Sequence, residues 1–244
     1  MEQRNILITG GSAGMGLATA IRFNENGDQV IITGRNEEKL KAVRQQHPAI
    51  HTITSDVASS SDREALMTEI QKKFGRIDVL FSNVGVGIFK PLTEISEHEF
   101  DQLVNINYKG TFFLIQKALK LMPDNSRIIV NSSWTHHRGL YSSALYGSTK
   151  AAISHLVKTL AIELAGRSIN INAVSPGYIN TEQFNEEMLG EATAQKRKAE
   201  VPLKRFGSPK EIAGMVYFLA SPEASYLSGQ DILIDGGLTA VHNY

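Results

Sequence analysis

Along this chain, short β-branched or apolar runs alternate with longer stretches of helical periodicity. Residues 5–9, 29–33, 50–54, 77–82, 127–131, 169–174 and 231–234 read as strands. Residues 15–26, 37–46, 61–74, 96–122, 144–165 and 210–219 read as helices. Gly27 stops the first helix, Pro48 follows the second, a Ser/Asp-rich cap opens the third, and Pro123 ends the long fourth. Strands that alternate with helices predict a parallel sheet covered on both faces. With the usual right-handed crossovers this is an α/β, doubly wound parallel sheet.

One segment departs from the alternation. Residues 178–202 are polar and charged, with Phe184, Met188 and Leu189 giving a partly amphipathic face. Placed between strand signals, the segment reads as a small mobile lid over a pocket rather than a linker. The expected organisation is therefore one domain over residues 1–244, with 178–202 as its substrate lid.

The 244 residues suffice for a large core, and 25 basic against 25 acidic residues leave no net charge. No basic footprint for nucleic acid or for an acidic membrane surface is present. The chain has no cysteine, which excludes disulfides, thiolate nucleophiles and cysteine-bound metals. No apolar run approaches the ~18 residues of a membrane span, and the first residues do not read as a signal peptide. The expectation is a soluble, cytoplasmic protein.

Two patterns carry chemistry. Thr9-Gly10-Gly11-Ser12-Ala13-Gly14-Met15-Gly16 lies between the first strand and the first helix. Glycines there let a pyrophosphate approach a helix N-terminus, although the spacing is T-G-x-x-x-G-x-G rather than G-x-G-x-x-G. Tyr146 and Lys150 stand four residues apart on a helix, so they share a face. A phenol of pKa ~10 is a poor catalyst at neutral pH, and a neighbouring ammonium favours its phenolate. The pair by itself is also compatible with a solvated helix face. His136 and His137 show no third ligand in the sequence, so no metal site is expected.

Taken together, these segments resemble the short-chain dehydrogenase/reductases in their compact single-domain form. The resemblance spans essentially the whole chain. It is carried by the 9–16 turn, Asp56-Val57, Ser82-Asn83-Val84-Gly85, Asn107, Ser133, Tyr146/Lys150, Pro176-Gly177 and Thr181. Val84 departs from the family's usual alanine.

The resemblance implies a Rossmann fold and an NAD(P)-dependent oxidoreductase that moves hydride between nicotinamide and a carbonyl or secondary alcohol. Tyr146 would exchange the proton. Lys150 would lower its pKa and hold the nicotinamide ribose, Ser133 would orient the reacting oxygen, and Asn107 would anchor a relay water. Ser132 is the alternative serine; the thirteen-residue interval to Tyr146 favours Ser133. Gly10, Ser12, Ala13, Gly14, Met15, Gly16, Asp56, Val57, Asn83, Gly85, Pro176, Gly177 and Thr181 would contact cofactor, together with Tyr146 and Lys150. Arg35 ends the second strand where no carboxylate stands, which favours NADP(H) with NAD(H) possible. Its alternative is a solvated helix start, and Ala13 supplies no second cation.

Trp134, Leu140, Tyr141, Tyr178, Phe184 and Met188 are pocket candidates that core or subunit contacts would explain equally. The expected partners are a small carbonyl or alcohol substrate and other copies of the chain, as a tetramer or dimer, with the segment from Gly236 to Tyr244 contributing. A silent NADP(H)-binding sensor or scaffold is the opposing reading. A nucleotide-sugar epimerase or dehydratase is a third, with little chain left for its substrate domain.

Overall fold

The computed structural model describes residues 3–240. Residues 241–244, the end of the expected contact surface, lie outside the described residues. The strands are β1 (Asn5–Thr9), β2 (Gln29–Gly34), β3 (His51–Thr54), β4 (Val79–Ser82), β5 (Arg127–Asn131), β6 (Asn170–Pro176) and β7 (Asp231–Ile234). They form one seven-stranded sheet in the order β3-β2-β1-β4-β5-β6-β7. Every pairing is parallel. The order reverses between β1 and β4, which opens a crevice at the strands' carboxyl ends.

Alternate residues of each strand feed opposite layers. Leu7, Leu80, Ile128 and Ile171 pack with α3 (Ser60–Lys73), α5 (Thr111–Ala118) and α6 (Ala144–Glu163). Ile6, Ile8, Val79, Phe81 and Ile129 face α1 (Gly14–Glu25), α2 (Glu37–Gln46) and α9 (Pro209–Leu219). Local capping fixes where these helices begin. Asn36 accepts from the Lys39 N–H, and Ser59 from that of Asp62. Ser96 and Glu99 form a reciprocal box at the start of α4 (Glu97–Val104). Gly27 ends α1 with a positive φ of 85°.

Two expectations needed correction. The helix read over 96–122 is α4, a π-helical turn over Asn105–Gly110, then α5, which ends at Ala118. Uniform apolar periodicity cannot reveal the extra residue that a π turn inserts. The 178–202 segment, whose polarity signalled no helix, also carries helical structure. It holds α7 (Glu186–Leu189) and α8 (Glu191–Glu200), built from Ala, Glu, Gln and Lys, which are good helix formers. Only Ala194 of α8 is buried. It joins Trp134, Tyr178, Val201, Phe206 and Leu238 in a third apolar cluster, with Phe184 and Leu189 packed against it.

Leu80 is fully buried at the centre of the sheet. Leu80→Ala should therefore cost about 2–5 kcal/mol of stability and lower the melting temperature by about 5–15 °C. Calorimetry giving an unchanged melting temperature would show that this layer is not close-packed.

Candidate active site

The carboxyl ends of β1, β4, β5 and β6 all deliver polar groups to the crevice. At the end of β1 the backbone turns through Gly10 and Gly14, with φ of 66° and 54°. A Cβ on Gly16 would lie 2.2 Å from the Gly10 carbonyl oxygen, so the turn closes only with glycine there. Ala13 caps α1 with no side-chain hydrogen bond, and the first turn carries no acid. The free N–H groups of that turn and the bare backbone before it suit an anionic pyrophosphate. The turn is braced from β4: the Asn83 amide donates to the carbonyls of Thr9 (3.2 Å) and Gly10 (3.1 Å). Asn131 donates in turn to Asn83 Oδ1 at 3.1 Å. Val84 fills the space beside Gly10, where a Cβ would meet its methyl at 3.2 Å.

Beyond this brace lie the catalytic candidates. Tyr146 and Lys150 project from the first turns of α6, with Lys150 Nζ 5.7 Å from the phenol ring centre. Lys150 is buried and donates to the Asn131 carbonyl at 2.8 Å. Burial pushes its ammonium down to about 8. Burial also raises the Tyr146 phenol above its ordinary value, while a hydrogen bond with Ser133 acts in the opposite sense. In this ligand-free arrangement desolvation outweighs any lowering of the phenol. Ser133 Oγ also accepts from the hydroxyl of Thr135 at 3.0 Å. Ser132 turns away and donates to the Lys150 carbonyl at 3.3 Å. Ser133 is thus the serine that meets the phenol.

Asn107 sits fully buried inside the π turn. Its amide accepts from the Val86 N–H and donates to the Val86 carbonyl, both at 2.9 Å. It also donates to Thr149 Oγ1 at 3.2 Å. One side chain therefore clamps the loop after β4 to the helix bearing Lys150. Gly85 lies inside that clamp, and a Cβ there would stand 3.1 Å from Lys150 Nζ.

The remaining expected contacts divide. Ser12 lies beside Gly34 at the end of β2, and Met15 packs with the α1 core. Pro176 ends β6, and a Cβ on Gly177 would strike Asp235 Cα at 2.7 Å. Thr181 reaches over the glycine turn, its methyl 3.4 Å from the Cβ position of Gly14. Val57 instead buries its side chain in the core. Arg35 and Asp56 face each other at 4.0 Å on the outer rim, and Arg35 is 63 % exposed.

Among the pocket candidates, Trp134, Leu140, Tyr178 and Phe184 join the third apolar cluster. Tyr141 and Met188 are exposed. His136 and His137 do meet a third group, Asp231, from a strand 94 residues further on. Sequence reasoning missed Asn131, Thr149 and Phe89, whose ring centre lies 5.1 Å from that of Tyr146. Asn131 had a signal, being a polar residue that ends a buried strand; Phe89, in an irregular loop, had none.

Known proteins resemble this chain along nearly its whole length. The family model described as enoyl-(acyl carrier protein) reductase, adh_short_C2, matches residues 10–239. A glucose 1-dehydrogenase of Gluconobacter oxydans is 36 % identical, over 97 % of this chain and 92 % of its own. A 3-oxoacyl-[acyl-carrier-protein] reductase of Thermotoga maritima is 36 % identical over 98 % of both. Among solved structures, a blue fluorescent protein from a metagenomic library in complex with NADPH superposes with a TM-score of 0.91. It is 31 % identical, over 96 % of this chain and 97 % of its own.

Burial of Lys150 has a consequence for stability. Its folded pKa of about 8 lies below the ordinary 10.5. Between those values the unfolded chain binds more protons, so this group makes stability rise with pH there. Below pH 8 it costs the fold about 3 kcal/mol. Lys150→Met should therefore leave the melting temperature of the ligand-free protein at pH 7 unchanged or a few degrees higher. A fall of more than about 5 °C would show that the ammonium holds the fold together.

Proposed function

The chain belongs to the short-chain dehydrogenase/reductase family, and on that premise we propose that it is an NADPH-dependent carbonyl reductase. The observation that carries the reading is the convergence of Ser133, Tyr146 and Lys150 at the end of β5 and the start of α6. The bound cofactor supplies the hydride and the chain does the rest. Ser133 donates to the carbonyl oxygen of the substrate and orients it. Tyr146, whose phenol lies beside Ser133, delivers the proton to that oxygen. Lys150, kept charged, favours the phenolate that results, and the lost proton returns from solvent through a relay water. Asn107 keeps Lys150 and the loop after β4 in register, and its π turn provides the place for a relay water.

Several observations support NADP(H) over NAD(H). Arg35 lies where a 2′-phosphate would sit, and residues 32–36 hold no carboxylate. Its contact with Asp56 is long and solvated, so it yields to a phosphate at small cost. The NADPH complex of a relative points the same way.

Gly10, Gly14, Gly16 and the N–H groups of α1 take the pyrophosphate, Asn83 and Gly85 border the adenosine and nicotinamide ribose, and Pro176, Gly177 and Thr181 the nicotinamide. Residues 178–202 act as a lid on the one domain. Thr181 already overlies Gly14, and Glu182 pairs with Lys39 of α2 at 2.6 Å across the crevice.

The substrate is a small to medium ketone or aldehyde. Phe89 against the phenol gives the reacting end an apolar wall, which suits a keto group with an apolar flank better than a polyhydroxylated sugar. Exposed Phe100 and Phe112 on α4 and α5, with Ile162 on α6, support assembly through those helices.

Oxidation of NADPH with a panel of ketones, aldehydes and 3-oxoacyl thioesters tests the reading. Tyr146→Phe should cut kcat at least about a thousandfold while NADPH still binds. Retained turnover in that variant would sink the acid–base assignment. Arg35→Ala should raise the Kd for NADPH at least about tenfold and leave that for NADH within about twofold. Equal weakening of both nucleotides would refute the phosphate contact.

A further inference from the structure

Behind Ser133, the loop leaving β5 folds back against the edge strand β7. Two consecutive imidazoles meet a buried carboxylate there. His136 Nε2 lies 2.9 Å from Asp231 Oδ2, and His137 Nε2 lies 3.7 Å from Asp231 Oδ1. All three donor atoms fall within 4.8 Å of one another. Asp231 is 7 % exposed at its side chain, His136 10 % and His137 29 %. We propose that His136, His137 and Asp231 bind a divalent transition-metal ion, of which zinc is the commonest kind.

Three features support a ligand set over a plain ion pair. First, His136 Nε2 and Asp231 Oδ2 are both buried and lie 2.9 Å apart without the alignment of an ordinary hydrogen bond, although Ser154 and Ser175 also bear on the carboxylate. A shared cation satisfies both. Donor atoms around a four-coordinate zinc stand ~3.3 Å apart, given bonds of about 2.0–2.1 Å. The two observed separations bracket that value.

Second, the imidazole rings lie with centres 3.9 Å apart, so both present a ring nitrogen to the same carboxylate.

Third, the outer atoms are held as metal ligands usually are. His136 Nδ1 faces Ser132 Oγ at 3.5 Å, and Asp231 Oδ1 accepts from Ser175 Oγ at 2.5 Å. Two nitrogens and one oxygen select a borderline ion such as zinc, cobalt or nickel over magnesium or calcium. A bound ion would pin the loop that follows Ser133 to the last strand.

The test uses the untagged full chain after chelator treatment. Zinc is titrated calorimetrically, and Co2+ is followed by its visible absorption. One equivalent per chain is expected, with the intense bands of a four-coordinate cobalt site. His136→Ala and His137→Ala should each weaken zinc at least about tenfold. Zinc should raise the melting temperature of the parent chain and of neither variant. If His136→Ala misfolds, His137→Ala decides, because its side chain is the most exposed of the three. No saturable uptake by the parent chain would overturn the proposal and leave a His–Asp ion pair. Full affinity in a folded His137→Ala variant would overturn it equally. The outcome does not depend on the reductase reading, since no arm measures turnover.

Discussion

The arrangement at the crevice depends on one costly act, the burial of Lys150. An ammonium out of water needs hydrogen-bond acceptors, and it has the Asn131 carbonyl at 2.8 Å. That carbonyl is free to accept because β5 ends there, where its backbone leaves the sheet. The same residue's side chain donates to Asn83, which in turn braces the glycine turn. The lysine, the serine loop and the nucleotide turn are thus tied to one strand end. Moving the end of β5 would displace all three together. Here stability yields to function: burial that depresses the lysine's pKa also destabilises the ligand-free fold.

The π turn is the second device of this kind. In a regular helix each carbonyl accepts from the N–H four residues further on, so interior backbone groups are consumed by one another. The extra residue over Asn105–Gly110 breaks that ladder where the helix passes α6. Asn107 is thereby carried inward, where its amide spans Val86 and Thr149. A buried asparagine with three such bonds is specific in geometry, since any shift leaves polar atoms unpaired. It locks the spacing between the loop holding Gly85 and the helix holding Lys150.

How much of this was legible depends on how local the signal is. β1 and β5 fall where their apolar runs placed them, because a strand buried on both faces is written in its own residues, and the half-exposed edge strand β7 falls on its run as well. The glycine turn and the Tyr146–Lys150 pair were equally legible, each being a short pattern tied to one element. The π turn was not, because its cause is tertiary: periodicity is nearly the same with or without one added residue. The helices at 186–200 hid behind their charge, since a helix that buries one alanine has almost no apolar stripe. Asp231 could not be linked to His136 from sequence at all. They meet only because β6 lies between β5 and β7 and leads the edge strand back under the loop.

These differences also explain why chemistry and specificity separate in this fold. Ser133, two residues past the end of β5, and Tyr146 and Lys150 on α6 stand where the sheet dictates, so on the proposed reading they serve the proton step and say nothing about the rest of a substrate. Relatives that share this architecture carry names as different as glucose 1-dehydrogenase and 3-oxoacyl-[acyl-carrier-protein] reductase. Whatever distinguishes their substrates must lie on the irregular segments that rise above the strand ends. In this chain those segments hold Phe89, Leu140 and the aromatic cluster of Trp134, Tyr178, Phe184 and Phe206. Tyr178 stacks on Phe184 at 5.6 Å while its hydroxyl is held by Arg197 and Glu200 of α8. The helical segment is therefore anchored at its polar end and apolar where it approaches the serine loop. Its conformation is set by packing against that loop and not by the sheet, so a substitution there can reshape the mouth of the crevice without moving Tyr146.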